Sequence, residues 1–256
     1  MAAPRRDTRG ILDPDGLLSR LRFRRREPAA ALRPYLEHYW LIDWDLPRPY
    51  TTSVLPHPSV NAVFQPGGAE LSGIGTAVFR QELTGRGWVV GTQFRPGGFA
   101  AFDPDLPVSV WTGRRVPLTD LWPDAELPAG DDDTRVAALD ALLLAHGPHP
   151  HPDTDTALRL AELVRHDRTI TRVDDLAAHS GRTVRALQRL FSARVGVPPK
   201  WVILRYRIHE ALEAAERPDA PDWSRLAADL GYSDHAHLTR AFTRTVGVPP
   251  SAYAAR

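Results

Sequence analysis

Arg182, Arg185 and Arg189 stand three and four residues apart, the spacing that puts side chains on one face of an α-helix. Ser192 continues that row. Val184, Leu187, Leu190, Phe191 and Val195 fall on the other side at 100° per residue. The segment therefore predicts an amphipathic helix with an apolar back and an arginine front. A row of guanidinium groups facing away from a packed core can donate paired hydrogen bonds to guanine O6 and N7 and can hold phosphates. A merely solvated charged face is the alternative.

The elements that would have to position this row are written twice. "RLFSARVGVPP" (189–199) returns as "RAFTRTVGVPP" (240–250), and "LAAHSG" (176–181) returns as "LAADLG" (226–231). A short helix, a glycine turn, a second helix and a proline stop recur, so two helix-turn-helix units are expected. Gly181 should end the first supporting helix, and Gly196 and Gly247 should cap the outward helices. In the second unit Leu238, Ala241, Phe242 and Val246 form the core side. Ser233, Ala236, Arg240, Thr243 and Arg244 lie opposite. Between the units "KWVILRYRIHEALEAAE" (200–216) reads as one helix, about 25 Å long at 1.5 Å per residue. That suits a spacer between readers in successive major grooves. Its Arg205 and Arg207 would touch phosphates or pair with Glu210; the residues leave both open.

These segments resemble the AraC/XylS family of bacterial transcription regulators. The carriers are "LAAHSGRTVRALQRLFSARVGVPPKWVILRYRIHEA" and "LAADLGYSDHAHLTRAFTRTVGVPPSAY", within residues 154–256. Leu238 stands where the family's second unit has a phenylalanine. The resemblance implies an all-α domain of seven helices with two helix-turn-helix units. Arg185, Gln188 and Arg189 would face bases in the first unit, and His235, Thr239 and Arg240 in the second. It also implies double-stranded DNA as a partner, with RNA polymerase, a small-molecule effector and a second copy of the chain as further candidates.

Residues 29–128 have a β texture. Short apolar runs alternate with Pro and Gly, and "HYWLIDWDL" sets Trp40, Ile42, Trp44 and Leu46 on one face and Tyr39 and Leu41 on the other. "VSVWTG" (108–113) reads as a further short strand. Many short strands suggest a β-sandwich or barrel, which makes the whole chain α+β. "EHYWLIDWDL", "LPHPSVNAVFQPGG" and "GTQFRPGGFAAF" resemble the N-terminal domain of one AraC-like subgroup, which implies a cupin-like sensor or dimerisation domain. Trp40, Trp44, His57, Asn61, Phe64, Trp88, Gln93 and Arg95 are candidates for a pocket wall, with ordinary core as the alternative for the aromatics. With only His38 and His57 in the β region, no metal centre is expected, nor any cofactor.

Four stretches follow: a polar tail or edge segment (1–28), the β-rich region (29–128), a helix plus a Pro/His-rich linker (129–153) and the helical domain (154–256). "RLRFRRRE" (20–27) reads as a solvated tail or an edge strand, or else as a basic stretch seeking DNA or membrane. His149 and His151 read as linker rather than as a metal fragment. The chain has 256 residues, a net charge of +1 and no cysteine, which excludes disulfides, thiolate metal sites and cysteine nucleophiles. From Asp155 onward 16 basic residues face 12 acidic ones, a mild basic excess. No apolar run reaches the roughly 18–20 residues of a membrane helix and no signal peptide is evident, so a cytoplasmic location is expected. A cupin-like enzyme fused to a DNA-targeting module is the alternative function. The expectation is a regulator that is not an enzyme.

Overall fold

The computed structural model describes residues 8–217, 219 and 221–255. A long ribbon organises the N-terminal part. β2 (Leu36–Val54) and β5 (Phe79–Phe94) pair antiparallel from Leu36 opposite Phe94 to Val54 opposite Phe79. β1 (Leu21–Arg26) lies on one side of the ribbon, and β3 (Asn61–Gln65), β4 (Gly68–Ser72) and β6 (Arg115–Pro117) on the other. All six join in one antiparallel sheet, in the order β1-β2-β5-β3-β4-β6. "RLRFRRRE" thus supplies an edge strand, preceded by the short helix α1 (Pro14–Arg20). Residues 1–7 of the expected tail lie outside the described residues.

The period-two pattern of β2 has the physical consequence it should, with the faces ranked by burial. Tyr39 and Leu41 are fully buried with Phe64, Val90 and Phe94. Trp40 and Trp44 are half-buried on the opposite face. There they lie directly across from Gly91 and Gly87, where any Cβ would collide with the indole rings. α2 (Asp132–His146) is pinned to the Tyr39 side. The Tyr39 hydroxyl donates to Asp140 at 2.8 Å, and Arg24 Nε donates to Asp132 at 2.7 Å. "VSVWTG" departs from expectation. Val108–Trp111 is a 3-10 turn, not a strand. Pro107 starts it, and Val108 is drawn into the core beside Gly196, so tertiary burial overrides a β-prone composition.

Seven further helices follow among the described residues: α3 (Pro152–His166), α4 (Val173–Ser180), α5 (Val184–Arg194), α6 (Pro199–Ala215), α7 (Trp223–Asp229), α8 (His235–Val246) and α9 (Pro250–Ala254). The linker before them is short. His151 caps α3, its Nδ1 accepting from the Asp153 amide at 3.1 Å. The cores, however, cross this boundary. One cluster unites Leu36, Phe94, Phe99 and Val108 with Ala157, Leu160, Leu187, Phe191, Val202 and Tyr206. A second unites Leu12 and Leu55 with Ile208, Leu212, Leu238, Phe242 and Tyr253. The two helix-turn-helix units are therefore buried against opposite ends of the β2–β5 ribbon. The first meets the Leu36/Phe94 end, and the second meets the chain next to the Val54/Phe79 end.

Candidate nucleic-acid interface

Each unit is built by the same local chemistry. α4 ends at Gly181, whose φ of +63° is the left-handed conformation that glycine adopts without penalty. Thr183 then caps α5, its hydroxyl accepting from the Ala186 amide at 3.2 Å. In the second unit Asp234 caps α8, accepting from the His237 amide at 2.7 Å. That bond, helped by the Ser233 hydroxyl, holds the Asp234 carboxyl below the usual carboxylate range. The apolar backs are buried as their spacing requires: Leu187, Leu190 and Phe191 in α5, and Leu238, Phe242 and Val246 in α8.

The fronts face solvent. Arg182, Arg185, Gln188, Arg189 and Ser192 are all exposed, as are His235, Arg240 and Arg244, while Thr239 is half-buried on the flank of α8. Among the described residues, none of the arginines at 182, 185, 189, 240 and 244 forms a salt bridge. Arginines toward the interior are bound instead. Arg24 pairs with Asp43 and Asp132, Arg135 with Asp43, and Arg165 with Glu37 at 2.9 Å. Burial pushes the Glu37 carboxyl up, but Arg165 and Arg95 outweigh it, so the net shift is downward and the pair stays ionised. Interior arginines thus act as bound structural cations, while those on the two outward helix faces stand without salt bridges, as do exposed arginines of the β region such as Arg48, Arg80 and Arg86.

Arg205 and Arg207 belong to the first group. Only 4% and 1% exposed, they cannot reach a phosphate. Arg205 donates to the carbonyls of Pro56 (2.8 Å) and Thr76 (2.9 Å). Arg207 donates to those of Asp167 and Ile170, each at 2.9 Å, and pairs with Glu210. The outward positions of α6 fall to Lys200 and Leu204, which the hydrophobic pattern alone did not single out.

The eight candidate pocket residues do not converge. Trp40, Trp44, Asn61 and Gln93 share one face of the sheet, where Trp40 Nε1 donates to Asn61 at 3.2 Å and Asn61 pairs with Gln93 across β3–β5. Phe64 is core on the other face, and Trp88 lies under Arg135, whose guanidinium sits 4.2 Å from its ring centre. Arg95 closes the joint with α3 through Glu37 and Glu162. His57 stacks on His209 of α6. Sequence reasoning passed over their partners Glu37, Arg135, Glu162 and His209, because each is an ordinary polar residue until folding brings it to its neighbour. Among the described residues no group of three or more metal-ligating side chains gathers, and no helix is long and apolar enough to cross a membrane.

Comparison with known proteins agrees with this geometry. Residues 176–256 match the family model of a helix-turn-helix domain. Residues 24–117 match that of a domain of unknown function, DUF6597. A β-rich domain thus precedes a domain of the kind that transcription regulators use to bind DNA. More narrowly, residues 176–256 are an AraC-type helix-turn-helix domain. Solved structures with some likeness include ToxT from Vibrio cholerae, at 14% identity and a TM-score of 0.41, covering 84% of this chain and 96% of that one. Another is unsaturated fatty acid bound wild-type ToxT, at 13% and 0.39, covering 92% and 91%. A third is the C-terminal domain of AraT, a response regulator from Geobacillus stearothermophilus, at 18% and 0.35, covering 38% and 81%.

Proposed function

We propose that the protein is a sequence-specific DNA-binding transcription regulator that lays α5 and α8 into successive major grooves of double-stranded DNA. The observation that carries this reading is the pair of exposed arginine-bearing faces on α5 and α8. Their arginines are without salt bridges, on helices whose backs are locked into the core. An unpaired guanidinium on a rigid helix loses little freedom when it meets a base edge or phosphate. Arg182, Arg185, Gln188, Arg189 and Ser192 form the first reading face, and His235, Thr239, Arg240 and Arg244 the second. The first is richer in arginine and contributes more of the affinity.

The N-terminal domain modulates this activity, by binding a small effector or a second copy of the chain. Support comes from the shared cores: both units are packed on the ribbon that would feel such a ligand. An open groove of about 720 Å³ between Pro34, Pro96, Leu158 and Leu163 lies on one of these joints, rimmed by Arg33, Arg95 and Arg159. The protein acts in the cytoplasm, at promoters where RNA polymerase is its further partner. The deciding experiment is selection of fragments from random duplex DNA by the purified full-length chain. It should enrich a motif of two unlike half-sites about one helical turn apart. Equal affinity for all duplexes at fixed salt would overturn the reading.

A further inference from the structure

The joint between the ribbon and α6 contains a group that DNA reading does not use. His57, in the loop after β2, and His209, on α6, stack face to face with ring centres 4.2 Å apart and planes within 3°. His209 is 1% exposed. Its Nε2 lies 3.4 Å from the Pro56 carbonyl, so it donates there, and its buried Nδ1 has no partner among the described residues. His57 Nε2 lies 3.1 Å from the Arg9 carbonyl. Directly beside them is Arg205, a buried cation with no salt bridge among the described residues, which already holds the Pro56 and Thr76 carbonyls. Burial alone brings its pKa down to about 10.

The charged and titratable groups around the pair can be named element by element. α6 supplies Arg205 and Glu213. Among its described residues, the segment before α1 supplies Arg9, whose guanidinium pairs with Glu213. The loop after β2 supplies His57 itself, and residues 73–78 supply no titratable group. Among the described residues the charges beside His209 are thus Arg205 and the Arg9–Glu213 ion pair. A proton on His209 would place a second cation near Arg205 at a buried position. Burial first, then His57 and Arg205, hold His209 well below the ordinary histidine range.

We propose that the His57–His209 stack is a proton-operated latch between the N-terminal domain and the second helix-turn-helix unit. With His209 neutral, the loop at 55–57 and the segment at 10–12 stay on α6 and α9. There Leu12 and Leu55 enter the second unit's core, and Tyr253 donates to the Leu12 carbonyl at 3.1 Å. Uptake of a proton opens that contact. The first unit, held by a separate core, keeps its place. The sign follows from linkage. A histidine whose pKa is depressed in the closed state binds fewer protons closed than open. The closed state is thus fully favoured above about pH 6.5 and loses ground as pH falls below it.

The test exploits the absence of cysteine. A single Leu12→Cys thiol is buried when the latch is closed, and its labelling by a dithiodipyridine, divided by the rate of a free thiol at the same pH, gives the fraction open. One proton taken up predicts a rise of roughly 25-fold between pH 7 and pH 5. The same thiol in a His57→Gln, His209→Gln background should show no such rise. An Ala157→Cys thiol in the first unit's core reports global unfolding and should stay flat. Should the double variant not fold, imidazole titration by NMR in the unaltered chain decides, since His209 must take up its proton in the same pH interval as the opening. A flat Leu12→Cys profile, an equal rise in the glutamine background or at Ala157→Cys, or a His209 that protonates without opening would each refute the latch. No DNA enters the experiment, so its outcome is independent of the proposed function.

Discussion

Two arginines on neighbouring helices make the functional reading quantitative. Arg189 sits on the front of α5, exposed and without a salt bridge, while the helix is held by Leu187, Leu190 and Phe191 on its other side. Replacing it with alanine removes nothing that folding uses, so stability should change by no more than about 0.5 kcal/mol. On DNA the same change should remove about 1–3 kcal/mol, the value of one good base contact. That is roughly 5- to 150-fold in Kd. Arg207 is the contrast. It is fully buried, donates to the Asp167 and Ile170 carbonyls and pairs with Glu210. Arg207→Ala leaves those acceptors in a space closed to water, so it should cost about 3–5 kcal/mol of folding stability. The assay is fluorescence anisotropy with the selected duplex and with a scrambled one at two salt concentrations, beside urea unfolding of each variant. Arg189→Ala should weaken the selected duplex more than the scrambled one while its unfolding midpoint stays in place. If Arg189→Ala bound both duplexes as the parent does, α5 would not be reading DNA through this face. If Arg207→Ala unfolded like the parent, Arg207 would not be a structural cation of the interior.

Three further outcomes follow from the same geometry. Thr183→Ala removes the cap of α5 and should cost about 0.5–2 kcal/mol in denaturant unfolding, whereas Thr183→Ser should restore most of it. Gly196→Ala puts a Cβ 2.9 Å from both Ile74 and Val108 at a φ of +97°, so its melting temperature should fall; a variant that melts with the parent would show that the joint gives way freely. The hydrogen bond from Arg24 holds Asp132 below the usual carboxylate range, against some burial. Its contribution is present above about pH 4 and is lost as pH falls through the lowered value. The gap in melting temperature between parent and Asp132→Asn should accordingly narrow from pH 5 to pH 3, and a constant gap would remove this ion pair from the acid limb.

Much of the helical half was legible because its information is local. The spacing of Val184, Leu187, Leu190 and Phe191 fixes which side of α5 is buried, and Gly181 and Thr183 mark where α4 stops and α5 starts. The same holds for Asp234, Phe242 and Gly247 around α8. Local signals were weaker in the β half. "VSVWTG" has the composition of a strand, yet the partner it meets is α5, and it turns. The aromatic positions of β2 alternate correctly, but alternation alone does not say which face is core. That is decided by Phe64 and Phe94 on one side and by Gly87 and Gly91, under the indoles, on the other.

By itself, then, the sequence determined the two helix-turn-helix frames, their outward arginines and the order of a β-rich and a helical half. These rest on periodicity and capping within a dozen residues. Only the tertiary structure decided what arginine does at each place. Arg205 and Arg207 looked as available as Arg185 and Arg189, and became interior cations because α6 is covered by the loop after β2 on one side and by the end of α3 on the other. It likewise decided that both units are packed on one ribbon, and that His57 meets His209 across 152 positions of sequence. A side chain's partners from distant parts of the chain set its charge, exposure and freedom, and no local pattern records them.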